Sequence, residues 1–156
     1  MNKKHLFWII PTSLVVIFAF SIYGFNNSAV RKLEEVKTQL SNVESSYQRR
    51  NDVITGLVNT VKGAADFEQE VLTEVVEARA SAGQTKINLD NIDANSINQF
   101  SQAQQALSGA LSRLLVTVER YPELKATQSF IEFQSQLEGT ENRINVERNR
   151  YNQAVS

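Results

Sequence analysis

The side chains that most often do chemistry are scarce in this chain and poorly placed for it. His5 is the single histidine. It stands at the edge of an uncharged run, so a Ser-His-Asp arrangement is excluded. With no cysteine there is no thiolate nucleophile, thiolate metal site or disulfide, and a lipid-modified lipoprotein is excluded as well. A metal site would have to rest on carboxylates alone. Glu70, Glu74 and Glu77 follow helical spacing, as do Glu138 and Glu141, but no Glu-x-x-His pair of the di-iron bundle type accompanies them. Gly139-Thr-Glu is a lone glycine in a helical pattern and not a phosphate cradle. No catalytic residue, metal ligand or cofactor is expected, and an enzyme is not the expected class.

One charged residue is placed more tellingly. Arg50 falls in the slot between Val43 and Leu57 of a heptad pattern, where a charge is costly unless paired. Its expected partner is a carboxylate from another helix. Glu77 and Glu141 are the candidates for Arg50, Arg79 or Arg143, and these five residues are expected to form a buried polar network. Tyr47-Gln-Arg-Arg50 can also be read as a basic recognition patch. The preferred reading has Arg49 facing water while Arg50 is paired in the seam.

The elements that would position these groups are helices throughout, with no strand-like alternation anywhere. Leu33, Leu40, Tyr47, Ile54 and Val61 repeat every seven, with Val36, Val43 and Leu57 between them, the 3.5 period of helices packed along one another. Gly63 is the expected C′ residue of this first helix, after Lys62 at the negative end of its dipole. Asp66 reads as the next N-cap, with Gln69 at capping-box spacing, and Phe67, Val71, Val75, Ala78 and Ala82 form the second seam. Residues 88–95 are polar and turn-rich, the clearest loop. A third helix, starting near Asp93 to Ser96, carries Phe100, Ala103, Leu107, Leu111, Leu114, Val118 and Tyr121 to Pro122, which ends it or turns it sharply. Thr127 is placed to cap a fourth, with Phe130, Phe133, Leu137, Ile144, Tyr151 and Val155 on its seam. Gly109 and Gly139 interrupt helical patterns at up to about 1 kcal/mol each relative to alanine, which suggests close backbone approach inside the bundle or against another copy.

Ahead of the seam lies Leu6 to Phe25, twenty residues without a charge, the length a helix needs to cross a hydrocarbon core. Leu6, Trp8, Leu14, Phe18, Tyr23 and Phe25 are its expected membrane-anchor residues, with Trp8 and Tyr23 at interfacial depth and Pro11 in the first turns, where a missing N–H costs least. Lys3 and Lys4 before it, against Arg31, Lys32 and Lys37 after it, lean toward a retained signal-anchor that sends the rest outward, to the periplasmic or extracellular side of a bacterial inner membrane. All 17 acidic residues lie beyond Phe25 with 14 of the 16 basic ones, leaving that part at −3. Such a balance argues against nucleic acid and against electrostatic docking on anionic lipid. The expectation is an all-α protein: a membrane anchor over 1–27, then an elongated antiparallel bundle over 28–156 with helices at about 28–62, 66–85, 95–120 and 127–155.

Several blocks resemble the bacterial LemA family. They are Gln48-Arg-Arg-Asn-Asp-Val-Ile, Leu57-Val-Asn-Thr-Val-Lys-Gly63, Glu77-Ala-Arg-Ala80, Ser112-Arg-Leu-Leu-Val116, Glu119-Arg-Tyr-Pro-Glu-Leu-Lys-Ala126, Leu137-Glu-Gly-Thr-Glu-Asn-Arg-Ile144 and Tyr151-Asn-Gln-Ala-Val155. The resemblance picks out Arg49, Arg50, Gly63, Glu119, Tyr121, Pro122 and Gly139 as family motif residues. It implies a single-span membrane protein with a helical-bundle domain and no established catalytic activity, some of whose members belong to bacterial membrane compartments, magnetosomes among them. Family members usually continue beyond the Tyr-Asn-x-Ala-Val block and often carry a histidine near Asp66-Phe67, which is absent here. Two functions follow as expectations. One is a membrane-bound scaffold that self-associates through its long helices. The other is a membrane-tethered adaptor that presents its bundle to another protein.

Overall fold

The computed structural model describes residues 28–64, 67–89 and 92–156 in full, and residues 3–27 only as part of a helix. The membrane-anchor side chains from Leu6 to Phe25, along with His5 and Asp66, therefore lie outside the described residues. Among the described residues no helix is long and apolar enough to cross a membrane.

The chain is all-α. Its elements are α1 (Lys3–Lys62), α2 (Gln69–Gln84), α3 (Ala94–Val118), a single turn α4 (Pro122–Lys125) and α5 (Gln128–Val155). They divide into two compact units, residues 1–38 and 39–156. In the first, the seam is open: Val30 and Leu33 are 57% and 51% exposed, Val36 is half-buried, and Lys37 reaches Glu34 at 3.8 Å. The expected burial of Leu33 does not occur, because the apolar core begins only at Leu40.

In the second unit the heptad positions become a core. Ile54, Leu57 and Val61 of α1 meet Val71, Leu72 and Val75 of α2, Leu107, Leu111 and Leu114 of α3, and Phe130 and Leu137 of α5. Directions follow from which residues face each other. Glu74 meets Arg113 while the carbonyl of Ala82 meets Gln104, so α2 and α3 run antiparallel. Gly56 faces Phe133 and Arg50 meets Glu141, so α1 and α5 do as well. A smaller cluster of Leu40, Ile87 and Phe100 gathers Tyr47, Leu89, Ile92, Ile97 and Tyr151, with the Tyr47 and Phe100 rings edge to face at 5.3 Å.

The ends of the helices carry most of the departures from expectation. α2 starts at Gln69 rather than 66, with Glu68 as its N-cap and no side-chain cap. The backbone at Gly63 is not left-handed; α1 ends instead with the Gly63 and Ala64 amides donating to the Thr60 and Val61 carbonyls. The connection from 85 to 93 is not simply polar, since Ile87 is buried and Leu89 and Ile92 pack with it on the smaller cluster. Asp93 caps α3, accepting the Asn95 and Ser96 amides. Pro122 sits at the first position of α4, where its missing N–H has no helical partner to lose, and Thr127 caps α5 by accepting the Phe130 amide at 3.3 Å. At the far end of α5, Val155 is 57% exposed rather than part of the seam.

Candidate functional site

Between the two apolar clusters lies a layer of polar side chains centred on Arg50. The heptad places Arg50 inward, and its residue is 1% exposed. Its guanidinium is met by oxygens from two other helices. Nη1 donates to Glu141 Oε1 on α5 at 2.8 Å and to Ser108 Oγ on α3 at 2.9 Å. Nη2 donates to Gln104 Oε1 at 2.7 Å and to the Gln104 carbonyl at 3.2 Å. The Tyr47 ring lies 5.0 Å from the guanidinium carbon, a cation–π contact. Gln104 in turn donates to the Ala82 carbonyl of α2 at 3.5 Å, so the layer touches all four long helices.

The charge balance of the layer is uneven. Arg50 is desolvated, whereas Glu141 keeps 45% of its side chain in water. Arg50 Nε, Asn51 Oδ1 and Glu147 Oε2 are buried without a hydrogen-bond partner among the described residues. Buried polar groups in this state cost free energy, which the packing around them must offset. The arrangement has no nucleophile beside a base. Its chemistry is that of a clasp, a directional charge-assisted set of bonds that fixes the register of α1 against α3 and α5.

The five residues expected to form one network are not brought together. Arg50 and Glu141 pair directly. Arg79 is half-buried and donates through Nε to the Asn51 carbonyl at 3.3 Å, joining α2 to α1 near the layer. Glu77 and Arg143 are exposed and take no part, because each lies on the outward side of its helix, two residues from an inward-facing one. Sequence reasoning missed two members, Gln104 and Ser108, and a separate buried carboxylate, Glu147. Gln104 is one helical step from Phe100 and Leu107 in the apolar stripe of α3, and Ser108 lies one turn beyond it. Glu147 extends the series Phe133, Thr140, Glu147 at seven-residue spacing, and it is 6% exposed with Oε1 accepting from Arg150 at 3.0 Å.

The motif residues named by resemblance occupy several places. Arg49 is exposed. Gly63, Tyr121 and Pro122 line a cavity of about 560 Å³ at the end of the bundle, where the Tyr121 ring packs on Phe67 at 5.0 Å. Glu119 pairs with Lys125 beside it. Gly109 and Gly139 are exposed, with nothing within 4 Å of where a Cβ would stand, so close approach inside the bundle is overturned for both. The close approach is at Gly56, where a Cβ would come within 2.5 Å of Phe133 Cζ. Among the described residues no group of three histidine, aspartate or glutamate side chains could hold a metal.

Comparison with known proteins bears on the chain as a whole. The model of the LemA family matches residues 39–156, the whole of the second unit. Protein LemA of Metamycoplasma hominis is 25% identical over 150 residues, covering 96% of this chain and 65% of that protein. Magnetosome protein MamQ 2 of Paramagnetospirillum magneticum is 26% identical over 170 residues, covering 97% of this chain and 62% of that protein. The chain thus spans less than two thirds of the length of these relatives. With more than half of its residues matched by the family model, the chain belongs to the LemA family.

Proposed function

We propose that this protein is a membrane-anchored scaffold, held by a single span in a bacterial membrane and self-associating through its long helices. The observation that carries the reading is the extent of α1, one helix of 60 residues from Lys3 to Lys62. Its sequence includes the uncharged run from Leu6 to Phe25 and, from Leu40 onward, the seam that organises the bundle. The uncharged run and the first seam of the bundle thus belong to one helical element. The exposed seam residues Val30 and Leu33 support side-by-side contact with another copy or another helix. A relative named as a magnetosome protein supports a place in a bacterial membrane compartment. Lys3 and Lys4 before the run favour a bundle on the outer side of that membrane.

The test is reconstitution of the full chain into liposomes, with particle mass by light scattering and vesicle shape by electron microscopy. Regular multi-copy particles or remodelled vesicles are the expected result. Monomeric protein in unchanged vesicles would remove the scaffold reading. In that event, recovery of a stoichiometric foreign protein after crosslinking in cells would identify a tethered adaptor instead.

A further inference from the structure

Beside the Arg50 layer, a cavity of about 620 Å³ opens along α1, within the size range of small-molecule sites. Three cations reach it from three different elements: Arg49 from α1, Lys86 from the connection after α2, and Arg143 from α5. Some exposed cations on the bundle find carboxylates, as Arg113 does with Glu74, Arg120 with Glu68 and Lys125 with Glu119, while Lys62 and Arg148 stand singly among the described residues and this cavity gathers three. Arg49, Lys86 and Arg143 hold no carboxylate among the described residues, although Glu44 and Asp52 line the same cavity. Asp52 is engaged by the Gln48 amide at 3.3 Å. Glu44, Ser41 and Ser45 are without partners among the described residues.

We propose that this cavity binds a small phosphate-bearing polyol. Guanidinium groups match the oxygens of a phosphate in a planar fork, and an ammonium adds a compact point charge. Arg49, Arg143 and Lys86 therefore hold the phosphate, while Glu44, Ser41 and Ser45 take the hydroxyl groups. The two carboxylates in the lining leave it at a net +1, which suits a small, singly phosphorylated ligand and disfavours an extended polyanion such as nucleic acid. This inference is independent of the scaffold reading. The same chemistry is offered by a free glycerol or sugar phosphate and by the headgroup of phosphatidylglycerol.

The experiment is isothermal titration of the full chain, in an uncharged detergent, with glycerol 3-phosphate and separately with dihexanoyl phosphatidylglycerol; dihexanoyl phosphatidylcholine is the control. The expected result is saturable one-to-one binding of at least one anionic probe and not of the control. Raising the salt should weaken it roughly fivefold through screening. Arg143→Ala and Lys86→Ala should each weaken it about tenfold, with helical circular dichroism unchanged and Arg113→Ala binding as the natural chain does. Binding of glycerol 3-phosphate alone points to a free metabolite, and binding of the short-chain lipid alone to a headgroup. No saturable binding of either, or binding that ignores both Arg143→Ala and Lys86→Ala, overturns the proposal.

Discussion

Arg50 is held by several oxygens, yet only one of them is ionised, and that one stands partly in water. This asymmetry makes the two ends of the pair unequal. Glu141→Ala leaves a guanidinium that is 1% exposed without its counter-charge, and the expected cost is about 3 kcal/mol. Arg50→Met removes the charge altogether; Glu141, already 45% exposed, then hydrates, and the orphaned Gln104 carbonyl group of the side chain sets a cost of about 1–2 kcal/mol. Urea denaturation should therefore rank Glu141→Ala as the less stable variant. The opposite order would show that packing of the arginine stem outweighs its charge. Glycines offer a second contrast. Gly109→Ala and Gly139→Ala add a methyl group in open space and should each stabilise by about 0.5–1 kcal/mol. Gly56→Ala drives a methyl group into the Phe133 ring and should destabilise by about 1–2 kcal/mol despite the same propensity gain. Thermal melts of the three variants decide it, and relief of the Gly56→Ala loss by Phe133→Leu would locate the clash.

Among the elements, α3 has the best-built start. Asp93 accepts the Ser96 hydroxyl, the Ser96 amide and the Asn95 amide, and these bonds, the Ser96 hydroxyl foremost, hold its carboxyl below the ordinary value of 3.8. A group whose pKa is lower folded than unfolded adds stability that is fully present above the unfolded value and is lost as pH falls through the folded one. The cap of α3 should therefore hold at neutral pH and weaken only in acid, below pH 3.8. Carboxyl NMR titration should place the Asp93 midpoint under that value, and Ser96→Ala should move it upward. An unchanged midpoint in Ser96→Ala would mean that the backbone amides alone set the shift. Helix ends were also where sequence patterns were hardest to read. The polar residues of the 85–93 connection announced a loop, but Ile87, Leu89 and Ile92 sit within it at spacings of two and then three, which sustain neither a strand nor a helix period, so their packing on Leu40 and Phe100 had no periodic signature.

At the scale of the whole molecule, every described residue with less than a tenth of its surface exposed belongs to 39–156. That unit contains both apolar clusters and the polar layer between them, and it is the part matched by the family model. A chain beginning at residue 39 should therefore fold by itself, with a helical spectrum and a single cooperative urea transition. A gradual, non-cooperative loss of helicity would mean that residues 1–38 are needed to hold the bundle. Because Arg50, Gln104, Ser108 and Glu141 join three helices at one level, Glu141→Ala should lower the midpoint of that transition without splitting it.

Side-chain period alone decided that the protein is helical, that Leu40, Ile54, Leu57 and Val61 face inward, and that Arg50 among them needs a counter-charge. Those properties are local, set by 3.6 residues per turn and by the cost of burying charge. Which carboxylate answers Arg50 was not local. Glu77 and Glu141 were equal candidates in the sequence, and the rotation of α2 and α5 about their own axes sent one to solvent and the other to Nη1. The same rotations made Gly56 the tight glycine and left Gly109 and Gly139 open. They also carried Arg49, Lys86 and Arg143 to one cavity from positions 37 and 57 residues apart in the chain. Each helix knows its own apolar face; only their packing together decides which polar groups share a level, because that depends on how the faces rotate to fill one core.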